Sequence, residues 1–505
     1  PQRILCVFSR ALTQYEGISA RQNRVGPCQS TQSMPMQKGA DRLGQRLSAP
    51  KTITRGRFRL VENLLRAFRR FTSFQIIILG FAGVIVAGAL LLMLPAASAQ
   101  GAATPFTDAL FTSTSAVCVT GLVVRDSGSY WSPFGQSLIL LLIQIGGLGV
   151  ITMSATFLML AGRNISLKER SAMQDALSAP SVGGIVRLTR FILKGTFIVE
   201  LTGALVMLPV FSRDHGFRGI WMAVFHSVSA FCNAGFDILG TAERPYPSLT
   251  AYVGDPVVNI TVIFLLVVGG LGFLTWDDIR THRWRLSRYR MQSKVILATT
   301  AILLLFPAVL FFFTEYSAFP LQERILASLF QSATPRTAGF NTTDLAAMSD
   351  ASRAVMILLM LVGGAPGSTA GGMKVTTLAV LAANVHSIFR QQESPQLFHR
   401  RVDSRIVKSA SAVLLLYLTL FLTGGCIISA AEDLPLAVCL YETASAIGTV
   451  GLTLGITPQL GQLSHWILIL LMFWGRVGGL TLIYAAFAGH NRYHAVYPKE
   501  NITIG

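Results

Sequence analysis

Four glycines, Gly121, Gly235, Gly339 and Gly451, recur along the 505-residue chain at separations of 114, 104 and 112 residues, each followed by Leu or Phe. In three copies a Ser or Thr stands eight residues earlier and a Ser-Ala pair begins six earlier; the copy around Gly339 departs, with Ala333-Thr334-Pro335. One S-A-x-x-x-x-G arises by chance, but four related turns at near-constant spacing mark an internal repeat. The chemistry such turns support is cation handling. A cation that sheds water needs oxygen dipoles in return, and rings of backbone carbonyls supply them without titrating. Turning carbonyls inward at a tight constriction favours glycine, which accepts positive φ and close backbone approach. With the two residues before each glycine, the candidate ion-binding set is Val119, Thr120, Gly121, Asn233, Ala234, Gly235, Thr337, Ala338, Gly339, Thr449, Val450 and Gly451. A plain packing role fits the glycine pairs further on, Gly146-Gly147, Gly269-Gly270, Gly363-Gly364 and Gly478-Gly479, which lie in long apolar runs. It does not explain glycines that end short segments.

The elements that must position these turns are membrane helices. The chain is 52% hydrophobic and 13% charged, with mean hydropathy +0.54; soluble domains carry about 25% charged residues. Apolar runs at 74–95, 134–162, 257–276 and 295–313 are each long enough for a hydrocarbon core of about 30 Å at about 1.5 Å per residue. Short, moderately apolar segments such as 105–116 and 219–230 precede the glycine turns. They are too short to cross and read as re-entrant half-helices, whose non-helical ends survive at membrane depth only when buried or lining a cavity.

Each quarter therefore reads as long helix, half-helix with glycine turn, long helix (M1–P–M2). The expectation is an all-α polytopic membrane protein with four such repeats in one chain around a pseudo-fourfold pore. The repeats span 65–165, 186–280, 293–385 and 404–488, flanked by a disordered basic tail (1–55) and a C-terminal tail (489–505).

The formal charge of +18 is not a nucleic-acid signature. Lys and Arg cluster at 51–70 (seven), 162–194 (six), 277–294 (six) and 386–408 (five), whereas 431–460 has none and carries Glu432, Asp433 and Glu442. Positive loops stay cytoplasmic, so the clusters mark one side visited after every second crossing. Both termini are expected in the cytosol of a cell whose inner (plasma) membrane holds eight crossings and four re-entrant segments. The six cysteines show neither metal-ligand spacing nor a disulfide framework. "GGLGVI" and "GGLGFL" lack the G-x-G-x-x-G register, so no dinucleotide site is expected. No cofactor is expected in this chain.

The turns "SAVCVTGL", "SAFCNAGF", "TPRTAGFN" and "SAIGTVGL" resemble those of the Ktr/Trk/HKT superfamily of potassium transporters over residues 65–495. The resemblance is nearest the bacterial Ktr-type membrane subunit, since no extra helix pair precedes the first unit and no long extracellular insert is present. It implies a fold derived from the tetrameric potassium-channel pore, usually as a homodimer, regulated by a cytosolic nucleotide-binding ring. It also implies K+ at the filter carbonyls: sodium-preferring plant members carry Ser at the first filter glycine, where this chain has Gly121. Channel-like flux and coupling to sodium or protons both stay open. One glycine per quarter points to modest discrimination against Na+.

Within 354–383 the run is interrupted by "GGAPGSTAGGMK" (363–374). Pro366 and five glycines argue against a continuous helix, a kinked helix being the alternative. The resemblance makes the loop 363–372 a gate beneath the filter, including Gly363, Gly364, Gly367, Ser368, Thr369, Gly371 and Gly372. Its small residues are expected to leave it loosely held. Arg476 lies mid-helix, where a charge is costly and by default functional. By resemblance it stands near the loop and opposes cation passage; the alternative is a structural arginine satisfied by helix-end carbonyls. A different class is an intramembrane serine protease using Ser368 with His226 or His386. No G-x-S-G is present, because Thr369 follows Ser368, and a protease would not need four glycine turns. A structural or receptor role leaves the repeat unexplained.

Overall fold

The computed structural model describes residues 72–160, 165–177 and 183–479. The expected tails, the basic cluster at 51–70 and the end of the fourth repeat lie outside them. Each quarter opens with a helix long and apolar enough to cross a membrane: α1 (Ser73–Leu92), α6 (Ile185–His215), α10 (Met291–Thr314) and α14 (Ser404–Glu432). The half-helices follow as α2 (Phe106–Val117), α7 (Arg218–Phe231), α11 (Leu321–Ala333) and α15 (Leu436–Gly448). Pro105, Pro320 and Pro435 start three of them, where a fixed φ suits the helix entry and the missing N–H has no intrahelical acceptor to lose. At 12 to 14 residues they reach only about 20 Å, too short to span. Their C-terminal halves are buried, apart from the partly exposed Val228 and Leu329.

The second long elements are α3 (Pro133–Leu148) with α4 (Val150–Leu160), α8 (Pro256–Gly270) with α9 (Phe273–His282), α12 (Asp350–Met360) with α13 (Val375–Phe389), and α16 (Gln462–Val477). Ser132, Asp255 and Ser349 cap α3, α8 and α12 through side-chain acceptors, the first two just before a proline. An amphipathic helix, α5 (Leu167–Leu177), follows α4, and a two-stranded antiparallel hairpin, β1 (Gln396–Leu397) and β2 (Arg400–Arg401), precedes α14.

The apolar runs at 134–162 and 257–276 are not single straight helices, which corrects the sequence reading. α4 bends 101° from α3, and α9 bends 97° from α8. The breaks fall at Gly149 (φ +86°) and Gly272 (φ +83°), and α16 stops at Gly478 (φ +89°). These three glycines adopt the left-handed region that side chains resist. Among the described residues the second helix is thus broken in the first three quarters, in quarter three by a loop, and in quarter four α16 ends at a glycine of similar φ. Four helices, or six if each bent pair is one span, pass as crossings among the described residues.

Candidate functional site

The four glycine turns meet. In each quarter two residues, one apart, take positive φ: Val119 and Gly121 (+50°, +94°), Asn233 and Gly235 (+58°, +67°), Thr337 and Gly339 (+71°, +80°), Thr449 and Gly451 (+52°, +95°). Alternating left-handed residues turn successive carbonyls to the same side of an extended strand. The turns also interlock. A β-carbon built on Gly121 would stand 2.5 Å from the Ala234 carbonyl oxygen, and one on Gly235 2.8 Å from that of Ala338. Gly339 abuts the Val450 carbonyl in the same way, and Gly451 abuts that of Thr120. Each quarter touches the next and the fourth returns to the first, so the twelve expected residues form a closed ring.

The half-helices hold this ring by a repeated bond. Thr120 N donates to Ser115 O, Ala234 N to Ser229 O and Val450 N to Ser445 O, each at 2.8 Å, and Ala338 N donates to Thr334 O at 2.9 Å. The serine of the Ser-Ala pair adds its hydroxyl: Gly121 N and Gly451 N donate to Ser115 Oγ and Ser445 Oγ at 3.0 Å. Ser229 Oγ instead donates to Phe236 O at 2.7 Å, and Thr334 Oγ1 donates to Phe340 O. Thr334 thus takes over where the third copy lacks the pair. Asn233 links neighbours: its amide oxygen accepts from Thr337 Oγ1 at 3.2 Å while its nitrogen donates to Leu266 O and Ala230 O. The C-terminal ends of the half-helices, with their partial negative charge, face the base of the ring.

The loop of quarter three lies under that base. Gly371 packs against the Thr449 side chain, and a β-carbon on Gly372 would come within 2.9 Å of Gly448 O. On the opposite side Thr369 Oγ1 donates to Phe231 O at 3.2 Å and Thr369 N to Gly269 O at 3.3 Å. Further bonds run from Ala365 N to Gly270 O, from Phe273 N to Gly367 O and from Gly372 N to Gly475 O, at 2.9, 2.8 and 3.1 Å. Gly363 N donates to Met373 O at 2.7 Å across the loop's own neck, and Lys374 Nζ donates to Ala370 O at 2.7 Å. The expectation of a loosely held loop is corrected, because its backbone groups bond to quarters two and four.

Arg476 completes the fastening. Its guanidinium donates to Thr369 O in the loop and to Gly146 O, with Gly147 O at 3.2 Å. The alternative in which helix-end carbonyls satisfy it is what the geometry displays, and the same group grips the loop. Gly146, Gly269 and Gly475 all pack under the last or next-to-last carbonyls of their half-helices, at Val117, Phe231 and Ile447. The glycine echo of quarter four is therefore Gly475 rather than Gly478-Gly479, and Arg476 occupies the position of Gly147 and Gly270. A cavity of about 320 Å³ adjoins the loop, lined in part by Asp175, Pro366, Ser368, Lys374, Tyr417 and Arg476.

Ser368 Oγ donates to Ala365 O at 2.7 Å, and His226 Nδ1 bonds Met222 O at 2.7 Å inside α7. No described bond joins Ser368 to a histidine. Among the described residues no group of three or more His, Cys, Asp or Glu could hold a metal.

Two buried acids escaped the sequence reading of the site. Glu442, on α15, accepts from Leu454 N at 3.2 Å, Thr457 Oγ1 at 2.8 Å and Thr453 Oγ1. It ties the segment leaving Gly451 back to its half-helix. Glu200, on α6, accepts from Gln144 Nε2 at 3.3 Å. A lone acid within an apolar run was the available signal for Glu200.

Residues 60–492 match the family model described as "TrkH: Cation transport protein". The chain is 38% identical over 452 residues to the "Potassium/sodium uptake protein NtpJ" of Enterococcus hirae, covering 87% of this chain and 99% of that one. It is 36% identical over 444 residues to the "Ktr system potassium uptake protein B" of Bacillus subtilis, covering 86% and 97%. The solved potassium transporter TrkH from Vibrio parahaemolyticus superposes with a TM-score of 0.64 at 19% identity, covering 81% of this chain and 83% of that one.

Proposed function

The chain belongs to the TrkH family of cation transport proteins, and from that premise we propose that it carries potassium into the cell. The ion passes through the ring built on Gly121, Gly235, Gly339 and Gly451. The observation that carries this reading is the cyclic interlock of the four turns, each glycine against the next quarter's carbonyl, with left-handed residues alternating in every strand. Such strands present carbonyl oxygens that replace hydration water. The names of the relatives from Enterococcus hirae and Bacillus subtilis support potassium, with sodium a competing ion. Membership of a transport family and the bond held by Ser368 speak against the protease reading.

In this reading the loop 363–372 and Arg476 are the gate. The loop crosses beneath the ring, and a fixed guanidinium beside the path opposes cations until both move. A homodimer and a cytosolic nucleotide-binding ring acting on the gate follow from the resemblance of the turns to Ktr-type subunits, and cytosolic termini follow from the alternating basic clusters. The test is rescue of a potassium-uptake-deficient bacterium at low external potassium. Wild type and Ser368→Ala are expected to restore growth, because permeation needs no nucleophile, and Gly339→Asp is expected to fail. Failure of wild type with the protein present in the membrane overturns the reading.

A further inference from the structure

We propose that the basic side of the protein holds a binding site for the phosphate of an anionic phospholipid headgroup, in the cavity between α6, α9 and the start of α10. The inference goes beyond the transport reading and needs only that the chain lies in a membrane. The cavity encloses about 210 Å³, with Arg187, Arg280, Arg290 and Asp277 at its wall and Phe191 and Leu274 among its apolar residues.

The arginines are not equivalent. Arg290 is spent on carboxylates: its Nη2 lies 3.2 Å from Asp277 and its Nε 3.4 Å from Asp278. Asp278 is 1% exposed and also accepts from Ser293 Oγ at 2.6 Å and Arg290 N at 3.1 Å. That network fixes the wall and offsets the acid that would repel an anion. Arg187 and Arg280 make no ion pair or side-chain hydrogen bond among the described residues. The Arg280 guanidinium lies 4.8 Å from the centroid of the Phe191 ring, a stacked arrangement that orders the fork without using its donors. Two unpaired guanidinium groups therefore share one cavity with an apolar side. That combination matches a phosphate with its acyl chains attached.

Location selects the lipid. Arg187 and Phe191 lie in the first two turns of α6, which continues as a membrane-crossing helix. α9 bends 97° off α8, so Arg280 near its end meets the first turns of α6. Basic pockets between helices at this level suit anionic headgroups, and a guanidinium fork matches phosphate oxygens. Leu274, another wall residue, adjoins Phe273, whose N–H bonds the loop at Gly367 O. The cavity wall and the loop contact therefore share one ten-residue helix, with Leu274 of the wall next to Phe273 of the loop contact.

The purified full chain in neutral detergent is titrated with phosphatidylglycerol and, separately, phosphatidylcholine, and bound lipid is counted by native mass spectrometry. Phosphatidylglycerol is expected to bind saturably and in preference to phosphatidylcholine. The double variant Arg187→Ala/Arg280→Ala is expected to weaken it about tenfold or more. Arg187→Lys/Arg280→Lys should keep most of the binding, which separates lost charge from lost folding. Arg285→Ala, on the same basic segment but outside the cavity wall, should bind as wild type. Equal affinity for the two lipids, or unchanged binding in the double alanine variant, overturns the site. Displacement of the lipid by millimolar inorganic phosphate assigns it to a soluble anion and overturns the lipid assignment. The readout is independent of transport, so failure here and failure of the potassium reading are distinguishable.

Discussion

Replacing Gly121 by serine tests the ring most directly, because it introduces two separable costs. The first is backbone strain. At φ +94° a side chain costs about 1–2 kcal/mol relative to glycine. The second is contact, since the new β-carbon would stand 2.5 Å from Ala234 O and 3.1 Å from the Gly235 α-carbon. Carbon and oxygen prefer about 3.5 Å, so the second quarter's carbonyl must retreat by roughly 1 Å. Gly455 supplies the control: its φ is +91°, yet a β-carbon there meets nothing within 4 Å. Gly455→Ala therefore carries the strain without the displaced carbonyl. Gly455→Ala should lose about 1–2 kcal/mol of stability in thermal unfolding and Gly121→Ser at least that. Only Gly121→Ser should alter the proposed ion site. Displacing one of four carbonyls by that distance is expected to lower apparent potassium affinity about tenfold, equivalent to about 1.4 kcal/mol, and to raise relative sodium permeation. The assay is potassium uptake into proteoliposomes with graded sodium as competitor. Wild-type affinity and selectivity in Gly121→Ser, or equal losses in Gly455→Ala, would refute the claim that this carbonyl binds the ion.

Further outcomes follow from other parts of the molecule. Cysteine placed at Ser129 should label with an impermeant reagent from outside and cysteine at Arg283 from inside; external labelling of position 283 would reverse the proposed orientation. Arg476→Ala removes the donors to Thr369, Gly146 and Gly147. It should raise basal potassium flux in proteoliposomes and weaken dependence on a cytosolic partner, as should a shortened 363–372 loop. A fall in flux in both variants counts against the gate. Glu442→Ala removes the acceptor of the Leu454 N–H and of the Thr453 and Thr457 hydroxyls. The two hydroxyls keep their mutual bond at 3.0 Å, so the loss is about 1–3 kcal/mol, the cost of one buried group left unpaired. A clear drop in melting temperature is expected, smaller in Glu442→Gln, which keeps an acceptor. Equal melting temperatures for wild type and both variants would show that the network does not hold the fold.

What the sequence disclosed and what it hid divide along a physical line. Apolar run length reports that a segment crosses a membrane, and the glycine spacing reports that four turns are related, because both are properties of composition along the chain. Straightness is different. Gly149 and Gly272 sit in runs whose hydropathy is unbroken, and only their positive φ distinguishes a break from a glycine used for packing. The same limit hid the equivalence of Arg476. Looking for paired glycines selects Gly478-Gly479, whereas the packing of Gly475 under Ile447 aligns Arg476 with Gly147 and Gly270. Space then explains why the charge appears only in quarter four. A β-carbon on Gly147 would meet Cys232 Sγ at 2.6 Å, and one on Gly364 would meet the Ala370 β-carbon at 2.5 Å. Those quarters have no room for any side chain at this level. Gly270 has room, its nearest neighbour being the Asn233 side-chain amide at 3.7 Å, but its carbonyl already receives Ala365 N of the loop. Quarter four alone offers space beside carbonyls from two other quarters, Gly146 in the first and Thr369 in the third. A guanidinium there can bond both at once, so Arg476 falls where it ties three quarters together.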